Sequence, residues 1–469
     1  MKHQFQKFIH NNQSELINHL QGCLSFPSIS TFTEGEHPFG QDVHNCLIYM
    51  LEIAKTLGFK TCNVDDHVGW CEYGEGEEMI AVLGHLDVVP AGEGWTVPPY
   101  EGTIIDDKIY GRGTMDDKGP TVAALYALLA IKESGVRLNK RIRLIFGLSE
   151  ENGGNDLSYY RENGGEIPVM GFTPDGEYPV IHGEKGFIIE HYQKEYKQNG
   201  KLILKEIQGG TAENIVPHQA KAVFACSEEI VDEVIKTIIE LSKKRIYDKL
   251  KVEKTSEGVN FEATGTSAHA ATPWEGDYAI QHLLIGMKEL PLEGDLKEAI
   301  TFLAEKFQME CDGTSLGIAM ADEVSGPLTM NLGIISGDEH SLKVAMNYRY
   351  PVTKSYEDCE PKVKEALEKA GFCLVEWEHD PCLYMAKDSE HVKSLMKVYR
   401  EFTGDAESEP KCIGGATYAK ALPNVLAFGP SFPGDEIREH KPDEYVEIEW
   451  LLRNAEMIAE AMYALAGEE

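Results

Sequence analysis

Three consecutive segments limit the fold of this chain more than any other feature. MIAVLGHLD (79–87) is a short apolar run of the buried-strand type, and RIRLIFGLSEEN (141–152) is a second one. Between them KGPTVAALYALLAIKESG (118–135) reads as a helix, with Pro120 in its first turn, Val122, Leu125, Leu128 and Leu129 toward a core, and Gly135 to end it. A strand, a covering helix and a second strand imply parallel pairing, hence an α/β architecture. Both strands run out into ionisable residues, His85 and Asp87 after the first and Glu150 and Glu151 after the second. The helix is entered through TMDDKGP, which sets Asp116 beside Asp117. Two adjacent carboxylates repel, and a helix start needs only one capping acid. The pair is either solvated loop or a response to something strongly positive.

The rest of the chain divides by texture. MKHQFQKFIHNNQSELINHLQ at the start predicts an amphipathic helix, with Phe5, Phe8, Ile9, Leu16, Ile17 and Leu20 as its apolar stripe. TIIDDKIYGRG (103–113) predicts a hairpin turning at Asp106-Asp107. From about residue 186 the pattern becomes α+β. Residues 191–210 carry hairpin signals around Asn199-Gly200, 227–244 read as an amphipathic helix, and SLKVAMNYRYP (341–351) alternates. In that last segment Leu342, Val344, Met346 and Tyr348 share one face, and Lys343, Asn347 and Arg349 the other. From about residue 385 the α/β signals return and end in a long helix over 445–465. The expected organisation is one α/β domain, residues 1–185 and 386–469, interrupted by an inserted domain over 186–385.

A length of 469 residues makes two domains the natural expectation. The net charge of −34 argues against nucleic acid or an anionic membrane as partner, since both need a basic face. Ten cysteines, none in a Cys-x-x-Cys pair, fit reduced thiols rather than a disulfide framework or a structural zinc knot. No secretory signal is apparent and no apolar run has membrane-spanning length, so a cytoplasmic location is expected.

Open α/β sheets deliver functional groups from the carboxyl ends of their strands. Those ends supply His85 and Asp87, Asp116 and Asp117, Glu150 and Glu151, Asp175 in GFTPDGEYP, and His440 in IREHKPDEY. Imidazole and carboxylate without thiol suit zinc, manganese or cobalt. Any one of these residues alone would be ordinary; five such ends in α/β segments point to a metal centre.

Taken together, GHLDVVPAGEGW, YGRGTMDDKGP, SEENGG, TPDGEYP and EHKPDEY, in that order, resemble the dinuclear-zinc amidohydrolases and metallopeptidases. That family includes aminoacylases, acetylornithine deacetylase and glutamate carboxypeptidases, and the resemblance is strongest to its bacterial PepV-type dipeptidases. It covers essentially the whole chain. It implies a phosphorylase/hydrolase-like α/β catalytic domain, mostly parallel sheet between helices, interrupted by an enlarged, doubled ferredoxin-like α+β lid. It implies two divalent metal ions, zinc first with manganese or cobalt also accepted. Asp116 would bridge them, His85 and Asp175 would complete one site, and Glu151 and His440 the other. Asp87 would orient the His85 ring, and Glu150 would be the general base rather than a ligand. Two divalent ions bring +4 against −3 from the three ligand carboxylates, which favours hydroxide between them near neutral pH. The same resemblance implies a cis bond between Asp116 and Asp117.

Between Asp175 and His440 lie 264 residues, far more than one helix and strand require. In this insertion His269 of GTSAHAATPWEG matches a lid histidine that stabilises the oxyanion. Arg349 and Asn214 match residues that grip the substrate carboxylate. KCIGGATYAK resembles the family's GGTYA loop, whose donors at Gly414, Gly415 and Thr417 can meet the same group, although Ala416 interrupts the motif here. The implied activity is hydrolysis of unblocked dipeptides by a monomer that supplies its own lid histidine. An N-acyl-amino-acid deacylase or carboxypeptidase would use the same site. A non-catalytic metal-binding or interaction protein is disfavoured by the presence of Glu150. No Gly-x-Ser-x-Gly elbow or phosphate-binding glycine loop offers another chemistry.

Overall fold

The structure, a computed structural model, describes residues 2–153, 155–241 and 249–468. The chain divides into two compact units. One comprises Met1–Gly183, Met385–Lys411 and Ala416–Glu469; the other comprises Glu184–Tyr384 and Cys412–Gly415.

The first unit is built on the strand–helix–strand segment. Met79–His85 is buried along its whole length, as a central strand must be, and pairs in parallel with Arg141–Gly147 and Met170–Thr173. Val425–Ala427 continues the parallel set beyond Met170–Thr173. Val68–Tyr73 and Lys60–Val64 extend the other side antiparallel, and Ile181–Glu184 adds an antiparallel neighbour to Val425–Ala427. The sheet is therefore mixed, parallel through its centre and antiparallel on its flanks. Helix Lys118–Ser134 closes on Gly135 in the left-handed conformation and is buried on all sides from Lys118 to Ile131. It packs on the central strands and against helix Ile448–Ala466. Gly84, one residue before His85, has to be glycine for that packing, because a Cβ there would lie 2.0 Å from Thr121 Oγ1.

The N-terminal amphipathic segment forms two helices, Lys2–Asn11 and Gln13–Leu24, which bury Phe5, Ile9, Leu16, Ile17 and Leu20 and leave Phe8 half-exposed. The hairpin expected around Asp106-Asp107 is Thr103–Ile105 paired with Lys108–Tyr110, both aspartates having positive φ, as a tight two-residue turn needs. None of the ten cysteines is joined in a disulfide.

Among the described residues the second unit is built on an antiparallel sheet of eight strands, with helices packed on it and a small separate pair, Ala321–Asp322 with Gly326–Pro327. Its core runs continuously from Ile188 to Phe372 in sequence. The sequence signals around Asn199-Gly200 predicted a hairpin between neighbouring strands, and this is corrected. Gly186–Glu195 pairs with Ser341–Tyr350 and Cys373–Asp380, whereas Ile203–Gly209 pairs with Gln219–Ala225 and Thr329–Gly337. The polar connection suits a crossing as well as a turn, and longer apolar partners claim both strands. The helix expected over 227–244 is present as Glu228–Leu241; its last expected residues lie outside the described residues. The strand Ser341–Tyr350 is buried from Val344 onward on both faces, so Asn347 and Arg349 are interior residues rather than solvent-facing ones. Among the described residues no helix is long and apolar enough to cross a membrane.

Candidate metal centre

Every strand end singled out in the first unit delivers its group to one place. His85 ends the central strand, and its Nε2 lies 3.0 Å from Asp116 Oδ1. The other oxygen of Asp116, Oδ2, lies 3.0 Å from His440 Nε2. One carboxylate thus offers one oxygen to each of two imidazoles that are 355 positions apart in the chain. Glu151 Oε1 is 3.3 Å from the same His440 nitrogen. Donor atoms of Asp116, Glu151 and His440 lie within 4.8 Å of one another, and so do those of His85, Glu150 and Asp175.

The local supports explain why these positions are held. Asp87 touches the His85 ring at Nδ1, 3.3 Å from Oδ1, and its two oxygens accept hydrogen bonds from the backbone N–H of Glu150 and Glu151. One buried side chain therefore orients an imidazole and shapes the turn that presents both glutamates. The Asp116–Asp117 bond is cis. Asp117 Oδ2 accepts from the His85 N–H and the Thr121 hydroxyl, which ties the helix start to the strand end. His440 adopts a left-handed backbone, φ +61°.

Three further residues went unassigned in the sequence. Glu444, four residues after His440, is fully buried and meets Arg112 at 2.6 Å. It also accepts from the backbone N–H of Gly113, Met115 and Asp116, so it moulds the loop that carries the bridging position. Tyr418, directly after Thr417, donates its N–H to Asp175 and its hydroxyl to Asp156. Asp156 in turn accepts from the N–H groups of Leu148 and Ser149, the residues leading to Glu150. Glu444 and Tyr418 lie inside the conspicuous motifs EHKPDEY and GGATYA, which was the available signal; Asp156 had none.

The donor set fits divalent cations. Burial and then the Asp116 carboxylate push Asp175 up to about 6, and burial with Asp116 and Asp175 pushes Glu439 up to about 8. Glu150 is raised well above the carboxylate range, by burial first and then by Asp175. Glu151 Oε1 is buried without a hydrogen bond. This much buried negative charge calls for cations, and the ligands are imidazole nitrogen and carboxylate oxygen. The Asp116 and Glu151 carboxylates raise His440 to about 10. For His85, burial works downward, but Asp116 and Asp87 outweigh it and raise its value. The His440 imidazole is thus protonated at neutral pH before any cation binds. Cation binding at neutral pH should release at least about one proton per chain. Affinity should therefore weaken as pH falls between about 10 and about 6, the values of His440 and Asp175. Calorimetry in buffers of differing ionisation enthalpy measures the release, and a buffer-independent heat would contradict it.

In the second unit, Asn214 accepts from the N–H of Ala270, and Ile215 bridges to His269. Arg349, 5% exposed, donates to Asn347 Oδ1 at 3.0 Å and to the Gly414 carbonyl at 2.5 Å. Gly414 lies against Ala271 of the His269 loop. Burial lowers Arg349 to about 10, which leaves it charged at neutral pH. Desolvation, then the Arg349 cation, lowers His269, so its imidazole is neutral there. His269, Asn214, Arg349 and Gly414 therefore form one cluster. Gly415 belongs to the same unit, whereas Thr417 belongs to the first unit and caps the short helix Tyr418–Ala421.

The sequence matches peptidase family M20/M25/M40 over residues 81–464. The chain belongs to that family. The Bacillus subtilis (strain 168) protein named "Putative dipeptidase YtjP" is 35% identical to it over 97% of this chain and 98% of its own. The Staphylococcus saprophyticus protein SSP1012, described in the same words, is 33% identical over 97% of each chain. Among solved structures, aminoacylhistidine dipeptidase from Vibrio alginolyticus superposes with a TM-score of 0.62 at 16% identity, covering 97% of each chain. Human carnosine dipeptidase 1 gives 0.56 at 15% identity over 99% of each. These likenesses show the M20 peptidase fold, a mixed α/β architecture. Peptidases of this family work with divalent metal ions.

Proposed function

We propose that this protein is a metal-dependent dipeptidase that hydrolyses unblocked dipeptides. The observation that carries the reading is the Asp116 carboxylate, which gives one oxygen to the His85 site and the other to the His440 site. Family membership and the names of the 33–35% identical relatives support the substrate class.

His85, Asp116 and Asp175 would hold one cation, and Asp116, Glu151 and His440 the other, with zinc the best match and manganese or cobalt also suited. When bound, such a pair supplies Lewis acidity that lowers the pKa of water and polarises the scissile carbonyl. Glu150, raised in pKa at its buried position, takes the proton from the attacking water and delivers it to the leaving amine. Asp87 keeps His85 oriented and holds the glutamate turn. In the second unit, neutral His269 donates to the oxygen that gains charge as the carbonyl is attacked. Arg349, Asn214 and the donors of Gly414, Gly415 and Thr417 grip the dipeptide's carboxylate. We take the 186–385 insertion as the lid of a cytoplasmic monomer.

The test is an assay of dipeptides beside N-acyl-amino acids, after chelation and reloading with zinc, manganese or cobalt. Dipeptides should be cleaved, chelation should abolish turnover and reloading should restore it. Preferential cleavage of the N-acyl-amino acids would instead identify a deacylase. Replacing His269 by alanine should lower kcat about 10²–10³-fold, the effect of losing one oxyanion donor, with metal content unchanged. Light scattering checks whether one chain suffices.

A further inference from the structure

A second cluster of metal-binding side chains lies in the first unit and contains none of the residues of the centre described above. His37, His44 and Asp66 place one donor atom each within 4.8 Å of the others. His37 Nδ1 is 2.9 Å and His44 Nδ1 is 3.1 Å from the same oxygen, Asp66 Oδ2. The two imidazole rings are stacked, centroids 3.9 Å apart and planes at 26°. We propose that these three residues form a separate site for one divalent cation, zinc being the best match, with a fourth position left for water.

Each side chain is fixed by its surroundings rather than left to wander. His37 sits in a loop closed by the N–H of Thr33 on the Pro38 carbonyl, and the Thr33 hydroxyl donates to the carbonyl of His37 itself. His44 lies in the first turn of helix Gln41–Thr56, with its N–H on the Gly40 carbonyl. Asp66 occupies the turn between strands Lys60–Val64 and Val68–Tyr73 at φ +56°. Asn63 donates to its Oδ1 and accepts its N–H, which leaves Oδ2 turned to the imidazoles. A carboxylate oriented by a neighbouring amide is the usual second layer of a metal site.

A hydrogen bond to Asp66 accounts for His37, whereas His44 faces the same oxygen as an ion pair when its ring is protonated. The His44 Nδ1 atom is buried and makes no hydrogen bond, although it points to within 3.1 Å of the carboxylate. A cation between the three donors satisfies that nitrogen. The spacings of 2.9 and 3.1 Å also match those of the family centre, 3.0 and 3.3 Å. Two imidazoles and one carboxylate with an open position are a known zinc donor set. The site would join a loop, a helix and a hairpin turn, beside the ring contact of Phe39 with His67. The same segment reaches the family centre through Ser30, whose carbonyl accepts from the Asn152 side chain.

The test counts zinc per full-length chain after dialysis against excess zinc and desalting. The wild-type protein should retain one zinc more than His44→Ala or His37→Gln. Asp116→Ala, which removes the bridging carboxylate, should still hold about one zinc, and adding His44→Ala to it should remove that one. With cobalt in place of zinc, the Asp116→Ala chain should show a visible absorption band that His37→Gln abolishes. Folded variants, judged by circular dichroism, that retain the wild-type zinc count would overturn the site. So would an Asp116→Ala chain that binds none. Neither result bears on the peptidase reading, which is judged by dipeptide turnover.

Discussion

Replacing Glu150 by glutamine lowers kcat about 10²–10⁴-fold, the range for removing a positioned general base, while the metal content of the chain stays at the wild-type value. The expectation rests on position and environment together. Glu150 is presented by a turn whose amides are held by Asp87, and burial with the neighbouring Asp175 raises its affinity for a proton. A carboxyl so placed can accept a proton and return it. Its donor oxygen also lies within 4.8 Å of those of His85 and Asp175, which is ligand distance. Metal analysis separates the two roles. Loss of activity with full metal content identifies the base, and loss of one equivalent would make Glu150 a ligand.

Replacing Glu444 by alanine destabilises the chain by about 3–5 kcal/mol, the cost of leaving a buried charge unpaired. The unpaired charge is Arg112, only 1% exposed and 2.6 Å from Glu444. Three backbone N–H groups of the 113–116 loop lose their acceptor in the same step. The loop carrying Asp116 loosens, so the variant should also bind its divalent ions more weakly. Denaturant unfolding measures the first effect and a competitive metal titration the second. A variant as stable as wild type would mean that water replaces the carboxylate without cost. Glutamine at this position keeps the shape and one acceptor, and should fall between the two.

The central strand, its covering helix and the groups at the strand ends were legible because buried strands are written as unbroken apolar runs. His85, Asp116, Glu151, Asp175 and His440 could be found as strand-end residues, and the structure brings them to one place. Pairing in the second unit was not legible. Asn199-Gly200 carries the chemistry of a tight turn, yet the strands on either side pair elsewhere, because a turn signal says nothing about which partner buries more surface. The alternation of its strand put Arg349 on the face opposite Leu342, Val344, Met346 and Tyr348, but did not show that this face is buried too; a strand inside a wide sheet can be covered on both faces. Glu444 accepts from the Met115 amide 329 positions away, Asp156 from the Leu148 amide 8 positions away, and Tyr418 gives its own N–H to Asp175; no spacing rule announces contacts of this kind.

The dependence of the 113–116 loop on Glu444 also sets an order of events during biosynthesis. His440 and Glu444 leave the ribosome after His85, Asp116, Glu151 and Asp175 have all been made. Until they emerge, the nascent polypeptide has neither the second imidazole nor the carboxylate that gathers the loop amides. Assembly of the paired centre therefore waits for synthesis to pass Glu444.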